Sequence, residues 1–548
     1  MSALSVPRWL SAGVAVCALT TLATSCTAST TSDNNAQAKK NVKLVDTTPA
    51  ASGQLEQATW LMTKEPVSLD LASDGANSQT ALIMANVCER LNKLGPDLTL
   101  GPGLASKYEW TDPRTLVFTL RDDVTFHSGA PMTVEDVLWS MERNSAEGAA
   151  ESDEFVNVTS IDKTGPNQIT FKFKQPDAVF VGAMSGDGGV VFERKAVAGQ
   201  GKDFGTPSSN KDGCSGPLTL DSWNSGKSVV LKKAADYWDA GQASKTDQIT
   251  FKWASDDAIV NSLVTGSAHG SYLENLASAT RLTKGTATTV SQGPDTRVWS
   301  LMVTERGGLT DQNVRKALSL ALDRDGINRA AFASLGQPWK EPVGLGAWGY
   351  EKPKFQEAYD KLEGSPAKPS AANLAEAKKL VAEAGTTKPI VVASDSTPIR
   401  NVLANAIVDA AQNIGLKASI KQIPTVQYGD FYSSPELRQQ ADLFSDDYFI
   451  SKNDPLGFYK NGTSDSEVQW ILKDPSYDNL VEKGRATLDD GKRAEIAIEL
   501  SNRWADAMPW ITAVQSPSTV ALSSKVTGVP ASGSYRYYPW AADLGTKG

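Results

Sequence analysis

The chain has 548 residues, more than one hydrophobic core usually supports, so two or three lobes are expected. Its hydrophobic content of 40% and charged content of 21% are ordinary for a folded soluble protein. A formal net charge of −9 argues against a nucleic-acid partner, which would require a basic face.

The first 26 residues predict a signal peptide that ends in a lipid attachment site. Arg8 is the only charge before Cys26, and an apolar run from Val14 to Leu22 precedes small residues. Such a run is too short to span a membrane. The end of the segment resembles a bacterial lipobox, with Ala23 where leucine is usual, which predicts that Cys26 becomes the lipidated N-terminus. Ordinary secretion with cleavage near Cys26 is the alternative.

Residues 27–54 predict a disordered tether. They are rich in Ser, Thr, Asn, Ala and Lys and contain almost no large apolar residue, so burial cannot offset the entropy of ordering them. A flexible chain of this length reaches roughly 30 Å. Anionic membrane lipids do not attract an acidic protein, so attachment to the membrane must be covalent. We therefore expect the lipid on Cys26 to hold the protein at the outer face of the cell membrane.

The first ordered elements surround a polar loop. Gln57 to Met62 reads as a strand, and Asp74 to Thr80 forms a polar loop before an apolar helix over Ala81 to Leu91. Small polar residues at a helix start leave backbone N–H groups free for a ligand, although they serve equally well as a plain cap. The candidate ligand residues in this loop are Asn77, Ser78 and Gln79.

Several ordered motifs follow along the chain. Gly101 to Arg143 contains GPGLA, FTLRDDVTFHSGAP and TVEDVLWSMER; Lys211 to Ala240 contains SWNSGKSVVLKKAADYW; and Thr310 to Arg324 is the helical TDQNVRKALSLALDR. Together they resemble the extracytoplasmic solute-binding proteins of family 5, the oligopeptide- and dipeptide-binding lipoproteins of ABC importers. The resemblance covers roughly residues 57–530.

The resemblance implies an α/β, periplasmic-binding-protein-like fold with two lobes, three domains, a hinge and a ligand cleft between the lobes. The implied bodies are lobe I (residues 55–92, 206–305 and 516–548), domain II (93–205) and lobe II (306–515). Strands and helices that alternate between Leu374 and Ile423 fit a parallel α/β lobe. The lobes are expected to close on the ligand about hinges at Cys88 to Pro96, Gly205 to Gly216 and Trp510 to Thr519.

The segment ADLFSDDYFISKNDP resembles the strand that faces the ligand in this family, where an aspartate holds the α-ammonium of a peptide. In this chain Ser451 takes the place of that aspartate, and Tyr448 takes the place of a tryptophan. Either Asp446 or Asp447 substitutes, or the solute is not a free peptide; only one of these neighbours should face the ligand. The implied ligand-binding residues here are Asp446, Asp447, Tyr448, Ser451, Tyr428 and Trp299.

Two further cysteines remain beside Cys26 once Cys17 leaves with the signal peptide. These are Cys88 and Cys214. An even pair in an oxidising compartment favours one disulfide, and two buried free thiols are the alternative.

The resemblance implies a lipoprotein that captures an extracellular solute, most simply an oligopeptide or dipeptide, and delivers it to ABC permease and ATPase subunits. We expect a monomer with no cofactor and no metal. One alternative is the same fold binding an oligosaccharide or another non-peptide solute that stacks on aromatic rings. Another is a lipoprotein that regulates envelope assembly without transport.

The motifs argue against an extracytoplasmic hydrolase. The chain has no G-x-S-x-G elbow, no H-E-x-x-H, no paired C-x-x-C and only two histidines. Asp446 and Asp447 cannot flank one glycosidic bond, because neighbours on a strand point to opposite faces. We therefore predict no catalytic residue.

Overall fold

A computed structural model gives the fold and describes residues 43–74, 78–209, 212–282, 287–385 and 388–548. The predicted signal peptide, the lipidation site Cys26 and the candidate ligand residue Asn77 lie outside the described residues. In the ranges described, no helix is both long and apolar enough to cross a membrane. Three larger sheets organise these residues, one at the centre of lobe I, one in domain II and one in lobe II, beside two two-stranded sheets.

Lobe I is built on a seven-stranded mixed sheet. Its first strand, Leu55–Met62, pairs in parallel with Thr246–Trp253, and the buried Trp60 packs against Trp540. In spatial order the strands are Thr288–Gly293, Ser518–Ser523, Gly270–Tyr272, Leu55–Met62, Thr246–Trp253, Ser228–Lys233 and Leu218–Asn224. The helices of this lobe are Leu71–Asp74, Ser78–Met84, Asp256–Thr265, Ala277–Leu282 and Trp540–Asp543. The sheet therefore brings the two ends of the chain into one core.

Domain II is a small antiparallel sheet covered by one longer helix. Thr115–Leu120 buries every second side chain, as its alternation predicts. The helix Val134–Asn144 begins at a capping box between Thr133 and Asp136. In spatial order the strands are Ala105–Asp112, Thr115–Leu120, Gln168–Phe173 and Val158–Gly165. Its other elements are the paired strands Asn92–Leu94 and Leu100–Pro102 and the helices Phe180–Ala183 and Arg194–Ala198.

Lobe II is built on a six-stranded sheet. In spatial order its strands are Gln337–Pro338, Trp510–Gln515, Val298–Val303, Leu443–Tyr448, Ile390–Ser394 and Ala418–Gln422. The last two pair in parallel and are joined by a helix, as the alternating pattern predicts. The helices of the lobe are Gln312–Ala321, Arg324–Phe332, Lys352–Lys361, Ala371–Ala384, Pro398–Asn413, Thr425–Tyr428, Pro435–Arg438, Leu456–Tyr459, Pro475–Arg485 and Asp490–Ala507.

The strand Val298–Val303 belongs to the sheet of lobe II, whereas the predicted boundary places it in lobe I. The sequence assigned residues up to 305 to lobe I, but Val298–Val303 is buried between two antiparallel partners in the sheet of lobe II. A continuous apolar run indicates a buried strand without showing which sheet receives it. The chain therefore leaves lobe I after Gly293.

Residues 43–54 pack onto lobe I. The isolated backbone pairs that hold them are Leu44 with Gln292, Thr47 with Pro530 and Gly53 with Thr546. The prediction of a disordered tether over residues 27–54 is therefore wrong for these twelve residues. Composition showed that they bury little apolar area, but it could not show that the C-terminal segment supplies partners for their backbone groups.

A disulfide closes the base of domain II. It joins Cys88, just before the chain enters the domain, to Cys214, just after it leaves, with Cα atoms 4.8 Å apart. Beside it, His127 Nδ1 lies 2.8 Å from Asp212 Oδ1. Burial on its own would lower the pKa of His127, but Asp212 raises that pKa above the ordinary value. His127 is therefore a structural residue at this base.

Candidate binding cleft

A cleft lies where the chain crosses between the two large sheets. The crossing segments are residues 294–297 and 516–517. Beside them, a cleft opens to solvent. The polar side chains that line it include Thr63, Ser78, Gln79, Glu274, Arg297 and Arg536. Of the predicted ligand residues, Ser78 and Gln79 therefore lie in the cleft wall, and their contact with a solute stays a prediction.

Arg297 links the two lobes across this cleft. Its Nη1 lies 2.7 Å from Asp447 Oδ2 in lobe II, and its Nη2 lies 3.5 Å from the Ser78 hydroxyl in lobe I. Burial opposes its charge, but Asp447 raises the pKa of Arg297 above the ordinary value. Arg297 therefore stays a cation, and the strand Leu443–Tyr448 is tied to the cleft wall through it.

A second buried ion pair forms the floor of the cleft. Arg536 donates from both terminal nitrogens to Asp295, at 3.1 Å each. The ring of Phe449 lies against both guanidinium groups, 4.5 Å from Arg536 and 5.3 Å from Arg297. Burial raises the pKa of Asp295, but the two arginines outweigh it and lower that pKa. The floor is therefore fixed in shape and charge before a solute arrives.

The two neighbouring aspartates point to opposite sides of their strand. Asp447 faces Arg297 in the cleft, whereas Asp446 faces Arg400, at 2.9 Å, and accepts a hydrogen bond from the Tyr432 hydroxyl at 3.1 Å. Burial raises the pKa of Asp446, and Arg400 opposes that rise only in part. Each carboxylate has an arginine of this chain as its partner, so neither offers an unpaired negative charge to a solute.

The predicted aromatic contacts lie mostly in the core of lobe II. Tyr428 is 2% exposed, and its hydroxyl donates to the Ser445 carbonyl. Trp299 packs against Phe332 beneath the sheet. In this structure neither ring is open to the cleft, and the contact of Tyr428 and Trp299 with a solute stays a prediction. The sequence placed both near the ligand strand but could not show which face of the sheet they occupy.

Tyr448 is half-buried, and its ring is already engaged. It packs edge-to-face against Phe458 and Trp510, with ring centroids 5.6 and 5.3 Å away. Its hydroxyl accepts a hydrogen bond from Asn461 at 3.2 Å. The contact of Tyr448 with a solute stays a prediction.

Domain II packs against lobe II through two sets of buried ion pairs. Lys452 Nζ lies 2.6 Å from Glu154 Oε1, and Arg485 Nη2 lies 2.6 Å from Asp177 Oδ2. Lys460 joins the first pair and also contacts Asp153. Lys452 directly follows Ser451, so this contact positions Ser451 against domain II.

Sequence reasoning missed the charged residues that organise the cleft. Arg297 and Arg536 lie in no motif, and their partners Asp447 and Asp295 are distant in the sequence, so no local signal marks them. The chemistry that they offer is hydrogen bonding and charge pairing. Among the described residues, no group of three or more His, Cys, Asp or Glu side chains is placed to hold a metal ion.

Known proteins of similar sequence fit this arrangement. The family model described as bacterial extracellular solute-binding proteins, family 5 Middle, matches residues 99–470. The probable D,D-dipeptide-binding periplasmic protein DdpA of Escherichia coli is 23% identical over 444 residues, which is 78% of this chain and 81% of that protein. The glutathione-binding protein GsiB of Salmonella typhi is 25% identical over 487 residues, which is 83% of this chain and 88% of that protein.

Solved structures share the fold. The substrate-binding protein CtaP of Listeria monocytogenes superposes with a TM-score of 0.75 at 21% identity, covering 90% of this chain and 100% of that one. DppA of Helicobacter pylori, in complex with the peptide STSA, gives a TM-score of 0.75 at 18% identity, covering 90% and 99%. These matches establish the α/β, two-lobed periplasmic-binding-protein fold.

Proposed function

Because the chain belongs to family 5 of the bacterial extracellular solute-binding proteins, we propose that it is the substrate-binding component of an ABC importer for a peptide-like solute. Two relatives are named for small peptides, a D,D-dipeptide and glutathione. The protein would bind the solute without chemistry and pass it to permease and ATPase subunits, acting as a monomer. An oligosaccharide is disfavoured, because the rings of Tyr428 and Trp299 lie in the core.

The proposal depends mainly on the two contacts of Arg297, one with Ser78 and one with Asp447. They join the cleft wall of lobe I to the ligand-facing strand of lobe II. A solute that touches both walls favours the closed arrangement by its differential affinity for that state. The cleft would therefore close on the solute as two hinged lobes.

Protein purified from its own host is expected to carry a bound peptide that native mass spectrometry identifies. With that peptide, Arg297→Met should weaken binding by about one to two decades in calorimetry, since a charge-assisted hydrogen bond is worth roughly 1.5–3 kcal/mol. Arg281→Met is the matched control, because Arg281 is exposed and, among the described residues, pairs with Asp257 in lobe I. A glycan as the tight ligand, with no peptide bound, would refute the proposal.

We also propose that Cys26 is lipidated and that the lipid holds the protein on the outer face of the cell membrane. The support is the signal-peptide pattern and the small residues before Cys26. Cys26→Ser is expected to move the protein from the membrane fraction into the soluble fraction, because no second anchor is predicted. Cys17→Ser, within the signal peptide, is the control and should leave the distribution unchanged. Membrane retention of the Cys26 variant would place the anchor elsewhere.

A further inference from the structure

A second cavity, the crossing cavity, lies against the segment by which the chain crosses from lobe I to lobe II. It encloses about 390 Å³, and its walls include Pro294 of that segment, Asp46 of the N-terminal residues on lobe I, Leu98 of domain II, and Leu345 and Trp348 of lobe II. Among the described residues, none lines both this cavity and the binding cleft. Sites for small molecules commonly enclose about 300–1,000 Å³, so the crossing cavity has room for one.

Hydrogen bonds between the bodies hold the walls of the crossing cavity in place. Asn453 Nδ2 donates to the Leu98 carbonyl at 2.9 Å, and the Gly349 N–H donates to the Asn453 carbonyl at 2.9 Å. The Gly346 N–H donates to the Asp295 carbonyl at 3.1 Å. Leu98 is held at a φ of 62°, a left-handed conformation that a leucine keeps only where its surroundings impose it. The cavity is therefore a fixed part of the fold, and its walls are not free to close over it.

The rim of the crossing cavity is negatively charged. Asp46, Asp97 and Lys352 are exposed there, and two carboxylates with one ammonium leave a net charge of −1. Within the described ranges, the Asp46 carboxylate has no basic side chain at ion-pair distance. Asp97 Oδ1 accepts hydrogen bonds from the Thr99 N–H and hydroxyl, which are neutral donors, at 3.1 and 2.6 Å. The Thr99 hydroxyl lowers the pKa of Asp97, and the charge of Lys352 adds to that effect, so Asp97 is ionised at neutral pH.

Trp348 gives the crossing cavity an aromatic wall. Its ring lies nearly parallel to that of Phe355 in the core of lobe II, with centroids 6.2 Å apart, and 6% of the residue stays exposed. Pro294, Leu345 and Pro353 add apolar surface beside it. An indole ring attracts cations through its π electrons. Apolar walls, an indole and a negative rim together favour an organic cation over an anion.

We propose that the crossing cavity is a second ligand site, separate from the binding cleft, and that it takes a small organic cation with a flat apolar body. The body would lie against Trp348 and Pro353, and the cationic group would face the carboxylates of Asp46 and Asp97. Because the walls belong to both lobes and to the segment between them, a molecule that contacts them all favours the arrangement in which they are assembled. Such a ligand would stabilise the packing of the lobes without occupying the cleft.

The test compares two probes that share an indole ring: tryptamine, which carries an ammonium, and indole-3-acetate, which carries a carboxylate. In titrations followed by saturation-transfer NMR, the wild-type protein is expected to bind tryptamine at least tenfold more tightly. Asp46→Asn with Asp97→Asn should weaken tryptamine binding by about three- to tenfold, since exposed ion pairs are individually weak. Lys352→Met should strengthen it by about two- to fivefold, because it removes the competing cation. Asp122→Asn with Asp123→Asn, which changes two exposed aspartates of domain II, is the matched control.

A variant that fills the crossing cavity locates the probe. Gln356→Phe adds a ring to the cavity wall from the helix Lys352–Lys361 and should abolish tryptamine binding, whereas Glu357→Phe, at an exposed position of the same helix, should not. Saturating tryptamine should raise the unfolding temperature of the wild type and leave that of Gln356→Phe unchanged. If Gln356→Phe does not fold, the double aspartate variant decides. No tryptamine binding by the wild type, equal binding of the two probes, or binding that both the filling variant and the double aspartate variant retain would overturn the site.

Discussion

Replacement of Arg485 by methionine is expected to weaken solute binding by about two to three decades. Arg485, at the end of the helix Pro475–Arg485, donates from Nε and Nη2 to Asp177 of domain II, at 3.1 and 2.6 Å. The side chain of Asp177 is fully buried and that of Arg485 is 4% exposed. Removing one member of a buried pair costs about 3–5 kcal/mol, and each 1.4 kcal/mol is a factor of ten.

The loss should appear as weaker binding because the two residues belong to different bodies. Asp177 is buried where domain II packs against lobe II, so in the variant its unpaired charge is expected to penalise that packing. Opening lets water reach the carboxylate, and the equilibrium shifts toward the state that does not hold solute. Burial also raises the pKa of Asp177, so protonation at lower pH should restore part of the lost affinity.

Two variants separate closure from simple loss of stability. Asp177→Asn combined with Arg485→Met removes both charges and should recover most of the affinity. Arg503→Met changes a half-exposed arginine of the next helix and should change nothing. Small-angle scattering should show Arg485→Met less compact than the wild type at the same solute concentration. Equal affinity together with a lower unfolding midpoint would mean that the pair only stabilises the fold.

The sequence predicted those elements whose signal is local. The helix that begins near Thr310 does so at Asp311, whose side chain accepts a hydrogen bond from Asn313 at 2.7 Å. The sequence pattern predicts one helix that continues to Arg324, but in the structure the first helix ends at Ala321. Asp323 then caps a second helix by accepting a hydrogen bond from Gly326. An aspartate inside a helical pattern thus marked a new start, which periodicity alone does not show.

The position of the candidate site stays a prediction, and the ion pairs around its strand had no local sequence signal. The segment Ala441 to Pro455 leads to the junction of domain II and lobe II, where Lys452 pairs with Glu154. The partners of its aspartates, Arg297 and Arg400, come from a crossing segment and from a helix, and neither pairing has a local sequence signal.

Removal of the disulfide by Cys88→Ala with Cys214→Ala is expected to lower the free energy of unfolding by roughly 5 kcal/mol. The two cysteines are 126 residues apart, and the loop-entropy relation assigns about this value to a loop of that length. Both side chains are buried in the core of lobe I, and alanine is apolar and smaller, so it leaves no unsatisfied polar group. The unfolding midpoint in urea, measured without reductant, tests the value.

The disulfide is also expected to strengthen the attachment of domain II to lobe I, since it joins the two chain segments that enter and leave the domain. His127 and Asp212 lie at that base, so the variant should retain part of the attachment through their pairing. Wild-type protein treated with reductant should match the double variant, because both lack the loop constraint on the unfolded chain. Two results would show that the covalent link does not hold the base of domain II. One is the detection of two titratable thiols in wild-type protein denatured without reductant, and the other is an unchanged urea midpoint in the double variant.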